Sequence, residues 1–152
     1  MAHSFNRLHT RRSPGAAFDF ISDFRHASLW DPRTESVRKV TDGPIGRGTK
    51  FLLRARLLGP IETDFPYEIV EYEAPRVIVF AGKTQFFEYR ERVTFAPDGT
   101  DGTGTTIEWD AAMDLRSLLA LGNPFLSLLY QRIGDDATSG IARVLEEAPA
   151  AA

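Results

Sequence analysis

Apolar residues recur in steps of three and four near the end of the chain, at Leu126, Leu129, Ile133, Ala137, Ile141 and Val144/Leu145. Gln131, Arg132, Asp135, Ser139, Arg143 and Glu146 fall on the other side. That period predicts a helix from Asn123 to Glu147. Asn123-Pro124 supplies an N-cap followed by proline at the first helical position, and Pro149 lies just past the expected end. Such a helix is about 36 Å long and needs a long apolar surface to lie on. Nearer the start, Ser13-Pro14 repeats the cap-then-proline signal, and Ala17, Phe20, Ile21 and Phe24 form the stripe of a shorter helix. A further helical turn is expected over Arg25 to Leu29, halted by Trp30-Asp31-Pro32.

The rest of the chain alternates with the period of two that marks strands. Expected strands cover His3 to Arg11, Glu35 to Thr41, Thr49 to Leu57, Ile61 to Glu71, Arg76 to Gly82, Gln85 to Ala96 and Thr105 to Leu115, with a glycine-rich turn at positions 42–48. In the third and fourth, Phe51, Leu53, Phe65 and Tyr67 share one face while Lys50, Arg54, Arg56, Glu62, Asp64 and Glu68 occupy the other. An antiparallel register that sets Arg56 opposite Glu62, Arg54 opposite Asp64 and Lys50 opposite Glu68 makes every outer pair complementary. For the last hairpin, pairing Phe95 with Thr105 sets Arg92 against Glu108 and Arg90 against Asp110. The inner face then carries Phe87, Tyr89, Val93, Phe95, Ile107, Trp109, Ala111 and Met113, with one exception. Glu91 is a carboxylate on that aromatic face, directly across from Trp109.

This order of elements predicts an α+β fold in which a curved antiparallel sheet of about seven strands wraps around the long C-terminal helix, with two short helices after the first strand. A lipocalin-like barrel is the competing architecture, and the early helical insertion argues against it. The 152 residues, 43% hydrophobic and 26% charged, suit one domain over 1–147 with a disordered tail at 148–152. A net charge of −3 gives no electrostatic case for nucleic acid. The chain has no cysteine, and His3, His9 and His26 show no metal-ligand spacing, so no metal and no cofactor are expected. The N-terminal residues lack the apolar core of a signal peptide, and no segment is long enough to span a bilayer. A cytoplasmic protein without stable membrane insertion is the expectation; oligomeric state is left open.

The segments "SPGAAFDFISDF", "LWDP", "GPIGRGTKF", "YEIVEYEAPRVIVF" and "RERVTFAPDGTDGTGTTIEWDAAMDL", followed by the closing helix, occur in an order that resembles the START-like (SRPBCC, helix-grip) superfamily, in its polyketide cyclase/dehydrase and lipid-transport branch. The resemblance covers almost the whole chain. It implies a sheet gripping the C-terminal helix around a pocket for an apolar or amphipathic small molecule. It implies no particular activity, because members range from carriers and receptors to cyclases.

The expected pocket wall is Phe51, Leu53, Phe65, Tyr67, Phe87, Tyr89, Trp109 and Met113 from the sheet, with Leu126, Leu129 and Ile133 from the helix. Tyr67, Tyr89 or Glu91 would orient a bound molecule. Three functional classes stay open: a carrier or sensor for a hydrophobic or polyketide-like small molecule; a cofactor-independent aromatase/cyclase or dehydratase using Glu91 as acid/base and a tyrosine to polarise a carbonyl; and a non-catalytic protein-interaction module. The bland alternatives are a solvated Glu91 at a pocket mouth, tyrosines bonded to backbone, and an Asp23–His26 pair that is merely a helix-end contact. Gly134 and Gly140, each costing about 1 kcal/mol inside a helix, either make room for a ligand or allow close packing.

Overall fold

The computed structural model describes residues 2–58, 60–99, 103–115 and 124–147. Its elements, in chain order, are β1 (Ala2–Thr10), α1 (Pro14–Ser22), a 3₁₀ turn (Phe24–His26), α2 (Ala27–Trp30), β2 (Thr34–Lys39), β3 (Lys50–Leu58), β4 (Ile61–Glu73), β5 (Val77–Lys83), β6 (Phe87–Asp98), β7 (Gly104–Leu115) and α3 (Pro124–Glu147). The strands form one seven-stranded antiparallel sheet in the order β1-β7-β6-β5-β4-β3-β2. The chain thus runs as a meander from β2 to β7, and β1 returns to the far edge. The α+β helix-grip architecture is what the order of elements predicts. Asn123, the expected cap of α3, and the tail at 148–152 lie outside the described residues.

Local chemistry explains most of the boundaries. The Ser13 hydroxyl accepts from the Ala16 amide at 3.2 Å and opens α1. Asp31 ends α2 in extended backbone, and its carboxylate then accepts from the Arg33 amide (3.0 Å) and the Thr34 hydroxyl (2.7 Å). The β3–β4 register is the one the charges require, with Lys50↔Glu68, Arg54↔Asp64 and Arg56↔Glu62. The β6–β7 register differs from expectation by two residues: Phe95 pairs with Ile107, Arg92 with Asp110 and Arg90 with Ala112. A two-residue slip keeps every side chain on its face, so the hydrophobic pattern cannot detect it. The outer charges are satisfied elsewhere. Glu108 receives Arg7 of β1 at 3.1 Å, and Arg92 reaches Glu71 of β4 at 3.0 Å.

The stripe of α1 also needs one correction. Ala17, Phe18, Ile21 and then Phe24 are buried, whereas Phe20 is half-buried and stacked on His26 at 4.4 Å. Phe18 and Phe20 each complete a helical stripe with Ala17 and Ile21; the sheet selects Phe18, whose ring meets Tyr72 (5.1 Å) and Phe95 (5.2 Å) edge-on.

Helix α3 packs chiefly against β1 and α2. Along β1 its side chains take the place of a missing neighbour strand. Gln131 accepts from the Phe5 amide (3.2 Å) and donates to the Phe5 carbonyl (3.4 Å), and Glu146 accepts from the Arg11 amide (3.2 Å). The sheet edge is covered in this way without a further strand. Two glycines set how near the helix comes. A Cβ at Gly140 would run into the Trp30 carbonyl oxygen, and one at Gly134 into the Ser4 hydroxyl and the Asn6 side-chain oxygen. Gly140 is therefore a packing glycine against α2 backbone. Gly134 is one against the tips of two β1 side chains.

Alanine favours a helix over glycine by about 1 kcal/mol, but at Gly140 the obstacle is rigid backbone. Gly140→Ala is expected to lower stability by about 1–3 kcal/mol, the usual cost of overpacking. Gly134→Ala should cost less, because side-chain tips can swing aside. Urea unfolding of the two variants checks that order.

Candidate ligand cavity

Between the inner face of the sheet and α3 lies a cavity of about 140 Å³. Strands β3, β4, β6 and β7 supply Leu53, Phe65, Tyr67, Phe87, Glu91, Trp109 and Met113 to its wall. Two adjacent rows of α3 face them, Leu129-Ile133-Ala137-Ile141 and Tyr130-Gly134-Thr138, each in steps of four as one side of a helix must be. The early helices close one side with Phe24, Trp30 and Asp31, and β1 adds Ser4 and Asn6.

The polar centre is Glu91. Its register partner on β7 is Ala111, not Trp109, which stands opposite Val93. Trp109 nevertheless reaches it diagonally, and the indole Nε1 donates to Glu91 Oε2 at 2.8 Å. Tyr67, from β4, donates its hydroxyl to Oε1 at 2.9 Å. Each carboxylate oxygen thus accepts one bond and retains a free lone pair. Burial raises the Glu91 pKa above the ordinary carboxylate value; the two donors pull it back in part, and the charge of Asp31 pushes it further up. The Tyr67 hydroxyl is pushed well above its usual range, first by burial and then by the neighbouring carboxylate. Tyr130 is raised for the same two reasons. Both phenols are therefore hydrogen-bond donors at neutral pH, not bases.

Of the other expected wall residues, Phe51 and Tyr89 are buried behind the lining. Phe51 packs on Phe24 at 6.1 Å. Tyr89 packs on Tyr67 at 4.8 Å and gives its hydroxyl to the Pro66 carbonyl, with the missing side chain of Gly82 leaving it room. Tyr89 is a backbone-bonded core tyrosine. Its pKa is raised, chiefly by burial. Leu126 lies on the first turn of α3, where side chains fall outside the described residues. Ala137 and Ile141, expected on the apolar stripe of α3 but not on the wall, also line the cavity, as do Tyr130 and Thr138, which the sequence reading did not place there. Trp30, read from the sequence only as part of the halt after the early helical turn, also stands on the wall. Trp30 is buried, meets Trp109 edge-on at 5.4 Å, and its Nε1 has no hydrogen-bond partner among the described residues.

The histidines stand apart. His3 bonds Asp110, His9 bonds Asp98 at 2.8 Å, and His26 bonds the Phe20 carbonyl at 2.7 Å. Asp23 caps the 3₁₀ turn and pairs with Arg25, not with His26. Among the described residues no three potential metal ligands cluster.

A helix-gripping sheet with an aromatic-walled cavity has relatives. Residues 6–146 match the family model described as polyketide cyclase/dehydrase and lipid transport. The chain belongs to this family. Solved structures of the same fold include a START superfamily protein from Mycobacterium smegmatis (TM-score 0.81, 14% identity, covering 97% of this chain and 99% of that one). A protein from Thermus thermophilus follows (TM-score 0.78, 16% identity, 94% and 96%), as does the protein XoxI from Bacillus cereus (TM-score 0.70, 16% identity, 95% and 96%). No curated protein sequence matches significantly. At these identities the likeness fixes the START-like fold alone. No described helix is long and apolar enough to cross a membrane.

The raised pKa of Glu91 has a consequence for stability. The folded state holds this proton more tightly than the unfolded chain, so stability falls as pH rises from about 4.5 through the folded pKa. Glu91→Gln removes that loss. The stability of wild type minus that of Glu91→Gln is expected to decrease over this interval, measured by urea unfolding between pH 4 and about 8. Taking the difference cancels the groups common to both proteins, including Asp23, Asp64 and Asp98, whose lowered pKa values act in the opposite sense.

Proposed function

We propose that the protein binds a small hydrophobic or amphipathic molecule between the sheet and α3, as a carrier or sensor. The observation that carries this reading is the cavity itself: walled mainly by aromatic and aliphatic side chains, with Glu91 held on its wall by two donors. Ligand sites commonly combine an apolar wall with a few convergent polar groups. A volume of about 140 Å³ is close to that of an apolar cavity known to admit benzene, which favours a single ring or a short chain. The family's description, polyketide cyclase/dehydrase and lipid transport, is compatible with that class of ligand. An interaction module with a collapsed interior is disfavoured by the same cavity.

A second reading has its own observation. The Tyr67–Glu91 hydrogen bond of 2.9 Å lies on the cavity wall, the arrangement a cofactor-independent cyclase or dehydratase would use. With its raised pKa, Glu91 would exchange a proton with a substrate carbon or leaving hydroxyl, while Tyr67 donates to an oxygen. Tyr89 is poorly placed for that role, since its hydroxyl is spent on Pro66.

Native mass spectrometry of protein purified from its own host tests the proposal. A stoichiometric small ligand is expected. Trp109→Ala and Phe65→Ala should each weaken its rebinding by about tenfold or more, from lost apolar contact. An empty protein that also ignores an apolar fluorescent probe would overturn it. Once the ligand is known, Glu91→Gln separates the two readings: altered affinity alone marks a carrier, and lost turnover marks an enzyme.

A further inference from the structure

The charge on the cavity wall is one-sided. Glu91 and Asp31 both line it, and none of the described lining residues is lysine, arginine or histidine. Among the described residues neither carboxylate is paired with a cation. The Glu91 partners are a phenol and an indole, and the Asp31 partners are a backbone amide and a hydroxyl. Each oxygen of each carboxylate is therefore left able to accept another bond. Around them stand the rings of Phe24, Trp30, Tyr67, Trp109 and Tyr130. Ring faces attract cations within about 6 Å, and more strongly where water is excluded.

From this arrangement we infer that the cavity selects a ligand carrying a protonated amine on a small apolar body, with the ammonium directed at Glu91 and Asp31 and flanked by the aromatic rings. The inference rests on the binding reading above and narrows it to a ligand class. An ammonium supplies the missing positive charge and N–H donors for the free lone pairs. A carboxylate-bearing ligand would meet like charge and is excluded. Binding also moves a proton. Where Glu91 holds one beforehand, entry of R–NH₃⁺ drives Glu91–COOH to Glu91–COO⁻ and releases H⁺ to solvent, with the amine keeping all of its protons. Tyr67, Tyr130 and Asp31 are the other titratable groups on the wall. The two phenols, raised by burial, stay protonated throughout.

Titration calorimetry of the whole protein with benzylamine, benzyl alcohol, toluene and benzoate at neutral pH is the test, repeated in two buffers of different ionisation enthalpy. The expected result is that benzylamine binds about tenfold or more tightly than benzyl alcohol. Proton release should accompany its binding to the extent that free Glu91 is protonated, growing when the titration is repeated at lower pH, whereas benzyl alcohol releases none and benzoate does not bind. Glu91→Gln should abolish both the preference and the proton release. If benzyl alcohol or toluene binds wild type as well as benzylamine does, the amine class is overturned and the apolar-cavity reading stands. If none of the four binds, both fail. The comparison within wild type does not depend on the variant's folding.

Discussion

Helix α3 touches the rest of the fold along two lines and stands away from the middle of the sheet. On one side it lies against edge strand β1, where Gln131 and Glu146 answer backbone groups that a neighbouring strand would otherwise pair. On the other it meets α2, where Gly140 lets it come down onto the Trp30 carbonyl. A twisted sheet that bends around a straight helix cannot follow it closely at every strand. The gap lies in front of β3, β4, β6 and β7, and those strands fill it with aromatic side chains that leave about 140 Å³ unoccupied.

A carboxylate inside such a gap is costly unless its charge is partnered by donors or removed by a proton. Here it has both routes. Tyr67 and Trp109 come from strands on either side of β6 and meet the two oxygens of Glu91 separately, so the group is fixed in direction as well as satisfied. Because these donors are neutral, they temper the rise in pKa that burial causes without reversing it. The outcome is a group poised to change protonation state with its surroundings. A carrier can use that to recognise a polar end of its ligand, and an enzyme can use it to move a proton.

Much of this was legible in the sequence, for identifiable reasons. Glu91 announced itself by breaking an apolar alternation, and a two-residue error in the hairpin register did not hide it, because such an error preserves the face. The β3–β4 register was readable because opposite charges face each other at three positions. The β6–β7 register was not, since Arg92 faces an acidic residue in either alignment, Glu108 or Asp110, and β1 and β4 compete for the same charges. Phe18 and Phe20 are equivalent by period and differ only in what the sheet presents to them. Tyr67 and Tyr89 look alike on paper as well. Depth separates them, the first facing the cavity and the second spending its hydroxyl on backbone behind it. The contributions of Trp30 and Asp31 depend on how a short helical turn folds across the sheet, which no local pattern encodes.

The chemistry of the cavity turns on Glu91 being a desolvated carboxylate held by Tyr67 and Trp109. Carbon-detected NMR of the glutamate side-chain carboxyls, with Glu91 assigned by its loss in Glu91→Gln, reads its titration directly. The expected midpoint lies above the ordinary value of 4.5 and moves higher still when Tyr67→Phe removes one donor. A midpoint at or below 4.5, unmoved by loss of the tyrosine hydroxyl, would mean that Glu91 is solvated and would contradict a desolvated, donor-held carboxylate.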